Sequence, residues 1–137
     1  MHDCIFCKIS RKEIQAFTVY ENDDVMAFLD IDPAAPGHTL VVPKSHAASF
    51  LDLPDTSIGP FFSAVKRLCR DIISAIGADG ATVGINHGEA GGQVVPHLHA
   101  HIIPRFHGDG GGSVQSVVGN KPKESLEEIR DKIMNAG

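Results

Sequence analysis

The sequence contains no apolar run near the roughly 20 residues needed to cross a bilayer, which excludes a spanning helix. Its first residues show no basic segment followed by a long apolar stretch and a cleavage site, so an intracellular, cytoplasmic protein is expected. Cysteine is scarce: Cys4, Cys7 and Cys69 are too few, and odd in number, for a disulfide framework, and reduced thiols are expected. Positive charge is short as well. With 12 Lys and Arg against 17 Asp and Glu, the formal net charge is -5, which argues against sequence-independent binding to nucleic acid. A small phosphorylated ligand stays open, because local charge and backbone amides can outweigh a weak overall field. No internal repeat and no domain boundary is visible. The 137 residues are enough to build one core, so a single domain over 1–137 is expected.

Cys4 to Ser10 reads as a short helical turn. Phe17 to Glu21 and Val25 to Leu29 read as strands around the polar turn Glu21-Asn22-Asp23-Asp24, forming a hairpin. Asp30 to Gly37, with two prolines and a glycine, reads as a loop feeding a strand from Thr39 to Pro43. Ile58, Phe61, Phe62, Val65, Leu68, Cys69, Ile72, Ile73 and Ile76 form one apolar stripe along about five helical turns. Asp55, Thr56 and Ser57 offer caps, Pro60 suits a first turn and Gly77 suits a left-handed exit. Cys69 lies on the stripe and is read as a packing residue. Ala81 to Asn86 and His97 to Ile103 read as the last strands. Gly108 to Ser113 is expected to be mobile, and Ser125 with Glu128 marks a capping box for a C-terminal helix carrying Leu126, Ile129 and Ile133. The fold class expected is α+β: an antiparallel sheet of about five strands, backed by one long helix, with a C-terminal helix.

His97-Leu98-His99-Ala100-His101-Ile102-Ile103 carries the most information. Alternate residues of a strand face opposite ways, so Leu98, Ala100 and Ile102 would pack inward while three imidazoles, rooted roughly 7 Å apart, share the other face. Histidine is a poor filler of exposed strand positions. Its reference pKa of about 6.5 suits proton transfer, nucleophilic attack or metal ligation.

These residues resemble the histidine triad (HIT) superfamily, and the resemblance covers nearly the whole chain. It includes the Cys4-Ile-Phe-Cys7-Lys-Ile start, Ala27 to Ile31, Gly37 to Lys44, the Asn86 to Gln93 loop and the triad. The similar branch is that of small phosphoramidases and dinucleoside polyphosphate hydrolases. The resemblance implies that His99 attacks the α-phosphorus of a purine nucleotide conjugate and forms a covalent nucleotidyl-histidine that water then cleaves. A backbone carbonyl near His97 would fix its tautomer. His101 and the amides of Gly92, Gln93 and Val94 would steady charge on the phosphate. His38 and Asn86 would line the site, and Asp30 and Ile31 would hold the ribose and flank the base. Val94 departs from the family, which usually has serine or threonine there, so weaker or altered activity is expected. Pro96, directly before the triad, is unusual and suits the first residue of a strand.

The resemblance further implies a structural zinc on Cys4, Cys7, His46 and His97, no catalytic cofactor, and a homodimer formed by pairing two sheets edge to edge. His2, His87 and His107 are read as surface or loop residues. Two other readings stand beside the first: a metal-dependent hydrolase using His99 and His101 as ligands, and a nucleotide-binding scaffold with weak activity.

Overall fold

The hairpin closes because the Asn22 carboxamide oxygen accepts from the N–H groups of Asp24 and Val25, each at 2.8 Å. It joins β1 (Thr18–Glu21) to β2 (Val25–Leu29), with a shift of register between Thr18 and Tyr20. β3 (Thr39–Pro43), β4 (Gly80–Gly84) and β5 (Ala100–Arg105) complete a five-stranded sheet in the order β1-β2-β3-β5-β4, every pair antiparallel. This is the α+β arrangement expected. The structure, a computed structural model, describes residues 3–137, so His2 lies outside the described residues.

Strand alternation divides the core in two. Val25, Ala27, Val41, Leu98, Ala100 and Ile102 turn to one side and pack on Phe61, Ala64, Val65 and Leu68 of α2 (Asp55–Ile76). Met26, Phe28, Leu40 and Val42 turn to the other side, where Phe6 and Ile9 of α1 (Ile5–Ser10) cover them. The triad face is therefore not open along its whole length, because α1 lies over part of it.

α2 begins earlier than the apolar stripe suggests. Its N-cap is Pro54, with no side-chain cap, so Asp55, Thr56 and Ser57 form the first turn and Pro60 falls inside the helix. Asp55 there favours the positive end of the helix. The buried stripe is narrower than expected: Ile58, Phe62 and Ile76 keep substantial exposure, while Cys69 and Ile72 pack against the core from its flank. The helix ends where expected, at Gly77 in the left-handed conformation, whose N–H donates to the Ile73 carbonyl at 3.0 Å. Gly37 is needed for closeness as well as for its φ of 86°. A Cβ there would sit 2.8 Å from Ile76 Cγ1 and 3.2 Å from Pro104 Cγ, so only glycine lets the 30–37 loop pass between α2 and β5.

The histidine segment differs most from expectation. β5 runs from Ala100 to Arg105, not from His97 to Ile103, and β4 ends at Gly84, not at Asn86. The Leu98 N–H donates to the Ala47 carbonyl at 2.7 Å and the His97 N–H to the Val95 carbonyl at 2.8 Å, so this stretch is drawn onto the loop after β3 instead of a neighbouring strand. Pro96, with no N–H, precedes the strand instead of starting it. Side-chain alternation nevertheless continues through 97–101.

α3 (Leu126–Met134) has the expected cap: the Ser125 hydroxyl accepts from the Glu128 N–H and donates to its carboxylate, both at 3.1 Å. Leu126, Ile133 and Met134 are exposed, so this helix adds little to the core. The glycine-rich stretch 108–113, expected to be mobile, is tied down. The Arg105 guanidinium grips both carboxylate oxygens of Asp109 at 2.8 and 3.0 Å and also donates to Thr82 Oγ1 and the Gly112 carbonyl. Among the described residues, no helix is long and apolar enough to cross a membrane.

Candidate active site

Each triad imidazole has one nitrogen held by a group that fixes its tautomer. His97 is fully buried. Its Nε2 lies 2.9 Å from the Pro43 carbonyl, which can only accept, so Nε2 carries the hydrogen and Nδ1 keeps its lone pair. His99, 8% exposed, places Nδ1 at 2.8 Å from the His97 carbonyl. Its hydrogen is therefore on Nδ1, and Nε2 is a free lone pair. Phe6 makes T-shaped contacts with the rings of both His97 and His99, with centroids 5.8 and 5.1 Å away.

His101 is set by a longer chain of donors. The Ala34 N–H donates to His38 Nδ1 at 3.0 Å, so His38 carries its hydrogen on Nε2, which donates to His101 Nδ1 at 2.9 Å. His101 then presents Nε2–H outward. Burial, followed by the neighbouring His99 and His38, presses the His101 pKa down to about 4, and burial also lowers that of His38. Both rings are neutral near pH 7, as this chain of bonds requires.

At the other end of the triad, Cys4, the N-cap of α1, and Cys7 within it meet His46 and His97. Cys4 Sγ lies 3.3 Å from His97 Nδ1, and Cys7 Sγ lies 3.3 Å from His46 Nδ1 and 3.5 Å from His97 Nδ1. All four donor atoms fall within 4.8 Å of one another. In a tetrahedral zinc site, with bonds of about 2.3 Å to sulfur and about 2.0 Å to nitrogen, unlike donors stand about 3.5 Å apart, so this set fits the ion. The Pro43 carbonyl supplies the outer-shell acceptor that a ligating imidazole needs.

The residues expected around a nucleotide are distributed less evenly. Asp30 Oδ1 accepts from the Asp32 N–H at 2.9 Å, and its Oδ2 lies 3.5 Å from His38 Nε2. Ile31 is 87% exposed. The Gly92 and Gln93 amides are engaged in turn bonds to the Glu89 and Gly88 carbonyls, each at 3.0 Å. The Gln93 carboxamide braces the loop: it accepts from the Gly88 N–H and donates to the Ala48 and Val95 carbonyls. Among the described residues, the Val94 N–H has no such partner, and its side chain is 88% exposed. Asn86 stands beside Gly92 and lines a groove of about 810 Å³ that also reaches His38, His87 and His101. Asp30, Ile31, Val94 and His99 do not line that groove.

The HIT domain profile matches residues 11–108. This chain belongs to the HIT family. It is 49% identical over 107 residues to the uncharacterized HIT-like protein MJ0866 of Methanocaldococcus jannaschii, covering 78% of this chain and 82% of that one. Adenosine 5'-monophosphoramidase HNT1 of Saccharomyces cerevisiae is 41% identical over 102 residues, 74% of this chain and 62% of HNT1. Adenylylsulfatase HINT3 of Arabidopsis thaliana is 38% identical over 104 residues, 76% of this chain and 53% of HINT3. Among solved structures, SMU.412c of Streptococcus mutans superposes with a TM-score of 0.87 at 38% identity, over 98% of this chain and 85% of that one. A zinc-bound histidine triad protein of Mycobacterium smegmatis superposes with a TM-score of 0.75 at 32% identity, over 94% and 89%.

Within this HIT fold, Phe6, the Pro43 carbonyl and the Ala34 amide are site groups that the sequence reading did not single out. Phe6 lies inside the Cys4-Ile-Phe-Cys7 motif and was within reach of that reading. Backbone groups leave no mark in a sequence. His87 reaches the groove, as its nearness to the triad allows, while His107 is exposed beside Asp79. A metal shared by His99 and His101 finds little support in the geometry. The group of possible ligands at this end is Asp30, His38 and His101, without His99, and both nitrogens of His38 are already engaged.

Proposed function

We propose that this chain is a hydrolase of nucleoside phosphate derivatives that forms a covalent nucleotidyl intermediate on His99. One observation carries the reading: the bond from His99 Nδ1–H to the His97 carbonyl puts the lone pair of the neutral ring on Nε2, where a nucleophile needs it. In the first step Nε2 forms a bond to the α-phosphorus, and the bond to the leaving group breaks with a proton taken from solvent. In the second step water attacks the same phosphorus, the electron pair returns to Nε2 and the proton goes back to solvent. His101 Nε2–H and the Val94 amide steady the non-bridging oxygens through both steps. Asp30 receives the ribose hydroxyls and Ile31 flanks a purine. The names of HNT1 and HINT3, an adenosine monophosphoramidase and an adenylylsulfatase, support an adenylyl conjugate as substrate.

The groove next to His101 favours a neutral leaving group over a second nucleotide. Its walls include Ile85, Ile103, Phe106 and Val117, and its cation, Arg105, is paired with Asp109. Zinc on Cys4, Cys7, His46 and His97 would have a closed shell and hold structure. The reading takes residues 1–137 as one domain, acting as a homodimer in the cytoplasm, where its free thiols stay reduced.

Rapid mixing with an adenosine phosphoramidate, a denaturing quench at alkaline pH that preserves the acid-labile P–N bond, and mass spectrometry tests the chemistry. An adenylyl group on a peptide containing His99 is expected in the wild type, with at least about a 10³-fold loss of rate in His99→Ala. Turnover without any adduct in the wild type would sink the mechanism.

A further inference from the structure

His97 belongs to two sites at once. Its ring nitrogen Nδ1 faces the Cys4 and Cys7 thiols, and its main-chain carbonyl holds the hydrogen of His99 Nδ1 at 2.8 Å. Phe6 makes a second link, because it sits between the two cysteines in sequence and its ring makes T-shaped contacts with both histidines. The third link is α1 itself, six residues long and far too short to be stable alone. It is held to the sheet by Phe6, Cys7 and Ile9, and its N-cap is the Cys4 sulfur, which accepts from the Cys7 N–H at 3.4 Å.

From this geometry we propose that a tetrahedral thiophilic cation, bound by Cys4, Cys7, His46 and His97, positions the nucleophile: its occupancy fixes the direction and the tautomer of the His99 ring. His97 is then a positioning residue, which never touches substrate. With the cation in place, α1, the loop after β3 and the segment before β5 are joined at one point. The His97 ring is held from both nitrogens, and its peptide cannot turn. The carbonyl therefore stays on His99 Nδ1–H. Without the cation, the Leu98 N–H of this peptide stays on the Ala47 carbonyl and the ring Nε2–H on the Pro43 carbonyl, but the clamp on Nδ1 is reduced to weak sulfur contacts. Once that peptide can rotate, His99 loses its acceptor and populates the Nε2–H tautomer, which offers phosphorus a hydrogen in place of a lone pair. Four protein donors leave no coordination position for substrate, so this action differs from Lewis acid catalysis.

The inference rests on the proposed use of His99 as nucleophile, but its test does not. Protein with ¹⁵N-labelled histidine is purified with zinc, stripped with a chelator and reloaded with zinc or cadmium. Metal content, circular dichroism, the long-range ¹H–¹⁵N spectrum of the His99 ring and the steady-state rate on an adenosine phosphoramidate are then followed. The loaded protein is expected to show one Nδ1–H tautomer. The stripped protein should show a mixture of tautomers and about a tenfold or greater loss of kcat with little change in KM, and both metals should restore it. Should stripping unfold the chain, His46→Ala and His46→Cys replace it: the cysteine variant keeps four donors and should keep the tautomer, while the alanine variant should not. A protein shown to hold no metal, whether stripped wild type or His46→Ala, that keeps the pure Nδ1–H signal overturns the proposal, as does a chain that takes up no zinc at micromolar concentration. If the tautomer follows the metal but no adduct forms on His99, the functional reading fails and the coupling stands.

Discussion

In the proposed function the Val94 N–H, which has no hydrogen-bond partner among the described residues, binds phosphate, and the side chain adds no donor to it. A typical hydrogen bond contributes about 0.5–1.5 kcal/mol, so Val94→Thr is expected to raise kcat/KM on an adenosine phosphoramidate by about 2- to 10-fold. Steady-state kinetics of the two proteins would check this. A fall in rate would mean that the position faces something other than phosphate. The same scale explains why the triad histidines are not equivalent. Each sits two residues from the next, yet one faces thiols, one is held by its neighbour's carbonyl and one is tied to a distant histidine.

At the scale of elements, the site lies where α1, the loop after β3 and the 30–37 loop converge on the start of β5. The 30–37 loop holds this position only because Gly37 lets it pass against Ile76 and Pro104. Gly37→Val is expected to cost at least about 1–3 kcal/mol from the backbone conformation alone, and the clash with Ile76 adds to it. Thermal unfolding should show a clearly lower Tm, with activity falling in parallel because Ala34, which fixes the His38 tautomer, lies on the same loop. An unchanged Tm would contradict this account. α2 and the hairpin were legible in the sequence because each announces itself locally, by a 3.6-residue stripe or by a turn residue. The true start of β5 was not legible, since it depends on a bond from Leu98 to Ala47, far away in the chain.

For the whole molecule, buried neutral histidines set the response to acid. The folded-state pKa of His101 is lowered to about 4, and that of His38 is lowered too, whereas the unfolded chain takes up these protons near 6.5. The unfolded state therefore binds more protons between those values. The histidine contribution is complete above about pH 6.5 and is lost as the pH falls towards 4. Urea midpoints across this range should fall with pH, and less steeply in His101→Gln, whose side chain does not titrate. A flat profile in the wild type would refute the buried neutral pair. β1 and β4 are the edges of the sheet, and an edge invites pairing. Sedimentation is expected to give twice the mass of one chain, and a clean monomer would remove the homodimer from the proposed function.

The sequence by itself determined which side chains are chemically capable and which face of the sheet each takes, because alternation and capping are local rules that survive any packing. The spacing of Cys4, Cys7, His46 and His97 could suggest a common site only through family resemblance. Tertiary structure decided the rest: which nitrogen of each imidazole carries the hydrogen, which amides of the 92–94 loop are already bonded, and that His97 meets Cys4, Cys7 and His99 together. These depend on carbonyls and N–H groups that every residue possesses, and only the path of the folded backbone brings a particular one within hydrogen-bonding distance of a particular ring.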